Sequence, residues 1–147
     1  MTGRKRHYLV DTEGHLLVAG VGPADEDDRE GARWLLAARD QRWPDIQLVW
    51  ADQHYTGDVE DEAQDAYGIH LEIVRKAADQ RGFVLLPRRW VVERSIAWLG
   101  RCRRLSKDYE HDPAASESWC YLASIQLLLN RLCPRPTAER PYLRKAG

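Results

Sequence analysis

The chain has 147 residues, 44% of them hydrophobic and 31% charged, with a formal net charge of −1. That length suits one ordinary domain, the apolar share excludes wholesale disorder, and no run approaches the roughly 20 apolar residues of a membrane helix. The near-neutral total hides a split: residues 1–80 carry nine Lys/Arg against seventeen Asp/Glu, net −8, whereas residues 81–147 carry thirteen against six, net +7, which points the basic half toward a polyanionic partner.

Cys102, Cys120 and Cys133 are widely spaced and form no C-x-x-C pair, so a zinc ribbon or dithiol redox site has no support. The basic N-terminal stretch MTGRKRH lacks the apolar segment of a signal peptide. The expectation is a soluble, cytoplasmic protein with free thiols.

In chain order, RHYLVDT (6–12) and HLLVAGV (15–21) are short Val/Leu/Tyr runs split by Glu13-Gly14, predicting a β-hairpin. Residues 22–43 open with turn residues and acids. Negative charge from Asp25 to Glu30 suits a helix N-terminus, Trp34, Leu35 and Ala38 give an apolar stripe, and Pro44 ends the segment. IQLVWA (46–51) is a continuous apolar run, expected as a strand buried on both faces. Residues 53–68 read as a loop followed by a polar helix, with Thr56, Gly57 and Asp58 at its start. IHLEIVR (69–75) alternates as a strand; 76–82 is a loop, and FVLLP (83–87) a short strand stopped by proline. Helical periodicity runs from Trp90 to Leu105, with Val91, Trp98, Cys102 and Leu105 on one face. Residues 112–118 are a loop with cap signals, and Trp119–Leu132 is an apolar helix expected to bury Leu122, Ile125, Leu128 and Leu129. Strands alternating with helices predict an α/β layer fold. Residues 1–133 form the expected domain and 134–147 a loose tail with three prolines.

Three acids stand at suggestive places. Asp52 directly follows the strand 46–51, at the kind of strand end where open α/β sheets build sites. Glu93 sits among arginines on the helix, and Asp11 closes the first strand. Pattern alone favours a turn aspartate for Asp52 and Asp11, and for Glu93 a salt bridge with Arg89, worth about 0.3–0.5 kcal/mol if exposed. The sharper alternative is that carboxylates from separate elements converge on divalent metal, since hard cations prefer their oxygens and a pair of metals promotes phosphoryl transfer. A run of cations, Arg88, Arg89, Arg94, Arg101, Arg103, Arg104 and Lys107, suits a phosphate backbone. No G-x-S-x-G, P-loop or G-x-G-x-x-G occurs. His54 lies near Asp52 and reads as a surface loop residue.

Three blocks carry a resemblance. ADQHYTG (51–57) resembles the D-x-x-Y block around the second catalytic aspartate of bacterial insertion-sequence transposases. LPRRWVVERSIAWLGRCRRLSKDYE (86–110) resembles their block around the catalytic glutamate, and GRKRHYLVDTEGHLL (3–17) is similar to the strand region before these. The family is that of the DDE transposases of the insertion sequence five type, with an RNase H-like fold. The resemblance implies Asp52 and Glu93 as catalytic ligands of Mg2+ (or Mn2+), and Arg89 as the arginine of the family's Y-x2-R-x3-E-x6-K signature. Leu86 replaces its tyrosine; Gly100, with Arg101 beside it, replaces its lysine. The first aspartate of the family lies in a D-S-x-S context upstream of the G-R-K-R-H block, and no such motif is present; Asp11 lies on the following strand. The resemblance therefore implies a C-terminal portion of an RNase H-like catalytic domain lacking its first catalytic strand, impaired alone. The expected partners are insertion-element ends, target DNA, an upstream transposase portion and further copies on DNA, with a nucleoid location when bound. The alternative is a non-catalytic DNA-binding fragment that regulates the full-length enzyme.

Overall fold

The computed structural model describes residues 3–74 and 89–134, so the expected strand at 83–87 and most of the C-terminal tail lie outside the described residues. Strands β1 (Arg4–Val10) and β2 (Leu16–Pro23) form the predicted antiparallel hairpin, with Tyr8 opposite Ala19 and an irregularity between Leu9 and Val10. Its turn is built by Asp11, whose Oδ1 accepts the amides of Glu13 (2.9 Å) and His15 (2.8 Å). Gly14 takes φ +86°, a conformation natural to glycine.

Helix α1 (Asp28–Arg42) starts where its acids favour it. The Asp27 side chain caps the Arg29 amide, and Asp28 and Glu30 occupy the first turn. Its buried face is Gly31, Ala32, Leu35, Leu36 and Arg39, so the expected stripe is rotated and Trp34 is exposed. The reason is close approach: a Cβ at Gly31 would stand 2.4 Å from the ring of buried His7. Arg39, 1% exposed, donates to the Pro44 carbonyl at 2.8 Å, tying the helix to the bend that follows.

Strand β3 (Leu48–Asp52) pairs in parallel with β4 (His70–Val74), and helix α2 (Asp58–Tyr67) makes the crossover between them. A 3-10 turn, Gln53–Tyr55, follows β3. The strand is less enclosed than its apolar run suggests: Leu48 is exposed and the rest half-buried, because β3 has no third strand beside it among the described residues. Ala32, Leu36, Val59, Ala63, Ile69 and Leu71 form the core of this half.

Helix α3 (Arg89–Leu99) is shorter than its periodicity predicts. It stops at Gly100, whose amide bonds to the Ile96 carbonyl, and a 3-10 turn, Arg103–Leu105, carries the rest of the pattern. Helix α4 (Pro113–Leu132) is longer than predicted, since Asp112 caps it and Pro113 opens its first turn. Its burial corrects the expectation. Ser116, Cys120, Ala123 and Ser124 face inward, whereas Leu122, Ile125 and Leu129 are each more than half exposed. Small residues let α4 approach the hairpin closely. Ala19, Leu99, Leu105, Cys120 and Ala123 form this second core, and burial pushes the Cys120 thiol up from its ordinary value.

Candidate active site

A cavity of about 300 Å³ lies between the two half-sheets. Arg6, Tyr8 and Leu9 line it from β1, Val49 to Asp52 from β3, Ala32, Leu35 and Leu36 from α1, and Val92, Glu93 and Ile96 from α3. Asp52 and Glu93 reach it from elements about forty residues apart in sequence.

Each carboxylate is placed by its own element. Asp52 ends β3 and accepts the His54 amide at 2.9 Å, capping the 3-10 turn and fixing the strand's exit. Glu93 is exposed on α3, flanked by Val92 and Ile96 on the side that lines the cavity, while Val91, Ser95 and Leu99 are buried. That helix is anchored to the hairpin turn: Ser95 Oγ donates to the Gly14 carbonyl at 2.8 Å, and Arg94 donates to the Glu13 carbonyl at 2.6 Å.

Among the further polar side chains that line the cavity, Tyr55 and Arg6 were not candidates from pattern. Tyr55 lies three residues after Asp52, at the tyrosine of the D-x-x-Y block, and its hydroxyl is 3.2 Å from His7 Nδ1. Burial, then the charges of Asp28 and Asp52, pushes its phenol up to about 12, so it stays a neutral donor. Arg6, from the G-R-K-R-H block, donates to the Leu105 carbonyl at 2.8 Å. His54 is exposed and does not line the cavity.

Asp11 stands apart. It does not line the cavity, and the hairpin turn engages its carboxylate. Among the described residues, no three His, Cys, Asp or Glu side chains are grouped to hold a metal ion. The pair Asp52 and Glu93 still offers the hard oxygen donors that a magnesium-sized ion prefers, with positions left for other ligands.

The cationic run divides. Arg88 lies outside the described residues, and Arg89 opens α3. Arg94 serves the fold: its guanidinium lies 4.2 Å from the Trp90 ring centre and 4.6 Å from that of Trp98. Arg101, Arg103, Arg104 and Lys107 are exposed, on the bend after α3 rather than on a continuous helix. Arg104 pairs with Glu110 at 3.2 Å and lies over Trp119.

Residues 1–128 match the sequence pattern of the family described as the Transposase DDE domain. The match covers most of the chain, and the chain belongs to that family. No curated protein and no solved structure matches it. Among the described residues, the mixed α/β architecture of two small sheets and four helices agrees with the RNase H-like fold this family implies. No helix among the described residues is long and apolar enough to cross a membrane.

Proposed function

We propose that this chain carries the second and third catalytic blocks of an insertion-sequence transposase of the insertion sequence five type. Asp52 and Glu93 act as its metal ligands. The observation that supports this reading most is their meeting on one cavity, from elements that only the tertiary fold brings together.

Mg2+ or Mn2+ bound there supplies charge stabilisation to phosphate oxygens as bonds change. The reaction is in-line phosphoryl transfer. A water oxygen attacks the phosphorus at the element end, and the 3′-oxygen leaves with the bonding pair and gains a proton. The freed 3′-hydroxyl then attacks a target phosphate in the same way. The chain's own part is to hold the two carboxylates on rigid elements and to present Arg101, Arg103 and Lys107 to the DNA backbone. Copies assemble on the DNA ends.

A second reading is a DNA-binding fragment that regulates the full-length enzyme without catalysis. The specific observation favouring it is the lack of a third grouped ligand among the described residues. Manganese retention by the full chain, followed by electron paramagnetic resonance, separates the two. Asp52→Asn and Glu93→Gln should each weaken Mn2+ at least tenfold, while duplex affinity is unchanged or raised. Equal Mn2+ retention by the double variant and the parent chain would leave the regulatory reading standing.

A further inference from the structure

His7 stands at the middle of β1, opposite Gly20, and is only 5% exposed. Its ring is pressed against Gly31 of α1, where a Cβ would stand 2.4 Å away. An apolar side chain would fill such a site with no polar atoms to satisfy. The imidazole instead brings two nitrogens. Among the described residues, Nε2 has no hydrogen-bond partner, and Nδ1 stands 3.2 Å from the Tyr55 hydroxyl. What the histidine gains over an apolar residue is therefore its contact with Tyr55.

Tyr55 closes the three-residue 3-10 turn that Asp52 opens. Gln53 and His54 are exposed, so the turn is attached to the protein through Tyr55. The Tyr55 ring packs against the core of the β3–β4 half and meets the His7 ring edge-on, with ring centres 6.4 Å apart. Asp52 is thus held from two sides. Its backbone pairs with Val74 of β4, and three residues further on the Tyr55 hydroxyl is fixed to the hairpin. The other carboxylate has the same reference: α3, which carries Glu93, is bound to the hairpin turn through Ser95 and Arg94.

We propose that His7 and Tyr55 are a positioning pair for Asp52: buried His7 fixes the Tyr55 hydroxyl, and Tyr55 fixes the turn that aims the Asp52 carboxylate. The pair joins Asp52 to the hairpin that also anchors the helix of Glu93, so the spacing of the two carboxylates is set by one element. Site groups tolerate misplacement of only about 0.5 Å, so a loosened turn lowers metal affinity without unfolding the chain. This inference rests on the reading of Asp52 as a metal ligand.

The test measures Mn2+ affinity of the full chain by electron paramagnetic resonance, beside its thermal midpoint. Tyr55→Phe removes one hydroxyl and keeps the ring. It should weaken Mn2+ at least threefold, short of the about 10–100-fold typical of direct partners of a ligand, and move the midpoint by a few degrees at most. His7→Leu should weaken Mn2+ as much, and the two changes combined no more than either alone. His7→Asn sets an amide atom where Nδ1 stands and should restore affinity to near that of the parent chain. Ile69→Val loosens the neighbouring core without touching the pair, and should lower the midpoint while leaving Mn2+ affinity unchanged. Asp52→Asn, measured in parallel, separates the two levels of the argument. If it weakens Mn2+ and Tyr55→Phe does not, the positioning pair is overturned and the metal reading stands. If Asp52→Asn binds Mn2+ as the parent chain does, both fall. Loss of affinity in Ile69→Val equal to that in Tyr55→Phe also overturns the pair, since general loosening then explains the effect.

Discussion

Three donors converge on the Asp11 carboxylate: the Glu13 and His15 amides on Oδ1 and the His15 ring on Oδ2 at 2.8 Å. Burial pushes this carboxyl up, but the hydrogen bonds from His15 and Glu13 outweigh burial and hold it below its ordinary value. A depressed carboxylate stabilises the fold above its unfolded pKa of about 3.9, and the contribution is lost as pH falls through the folded value. Asp11 is partly exposed, so solvent screens the charge. We expect Asp11→Ala to cost about 1 kcal/mol at pH 7, the net worth of a typical hydrogen bond. The gap to the parent chain should narrow as pH falls from 7 to below about 4. Urea midpoints at the two ends of that range check this, and an unchanged gap would exclude an ionised Asp11 as the cause. Asp52 and Glu93 both line the cavity from separate elements, so their substitutions should appear in metal retention.

The hairpin turn is also where α3 attaches, which couples two elements through one glycine. Gly14 has φ +86°, and a Cβ there would stand 2.6 Å from Ser95 Oγ, the atom that donates to the Gly14 carbonyl. Gly14→Ala therefore meets backbone strain and displaces the anchor of α3 together. Overpacking of this kind costs about 1–3 kcal/mol. A melting midpoint lowered accordingly, with weaker Mn2+ retention through displaced Glu93, is the expected result; unchanged retention would show that α3 keeps its position without this anchor. The hairpin was legible in the sequence because its determinants are local, Asp11 and Gly14 within four residues. The start of α1 was legible from its acids for the same reason. The face that α4 buries was not. Its leucines repeat as a core stripe would, yet contact with the hairpin selects Ser116, Cys120 and Ala123, whose small size matters only once a close neighbour exists. The end of α3 at Gly100 was overrun because periodicity continues through Cys102 and Leu105, although the backbone there turns.

Across the whole molecule, the charge split and the cavity belong to different parts of the same surface problem. Several acids of α1 and α2, and the cap Asp27, pair with arginines: Arg33 with Glu62 at 2.6 Å and Asp58 at 2.9 Å, and Arg29 with Asp27 at 2.5 Å. The excess positive charge of the second half is less compensated around the bend after α3, where Arg101 and Arg103 are exposed. The convergence of Asp52 and Glu93 was not legible from spacing, because no local pattern links a strand end to a helix about forty residues later; only the family resemblance named the pair. The same distinction governs the cations. Arg94 reads like its neighbours in sequence but is held between Trp90 and Trp98, so its loss should damage the fold first. Arg104 is partly neutralised by Glu110. DNA affinity measured by fluorescence anisotropy across a salt series should reveal the order. Each phosphate contact contributes about 0.9 to the slope of log affinity against log salt. Arg101→Ala and Arg103→Ala combined should flatten that slope by about two units, and Arg104→Ala by clearly less than one. If the double variant keeps the parent slope, the phosphate backbone does not pass over this bend, and the polyanion contact of the basic half must be sought elsewhere on the chain.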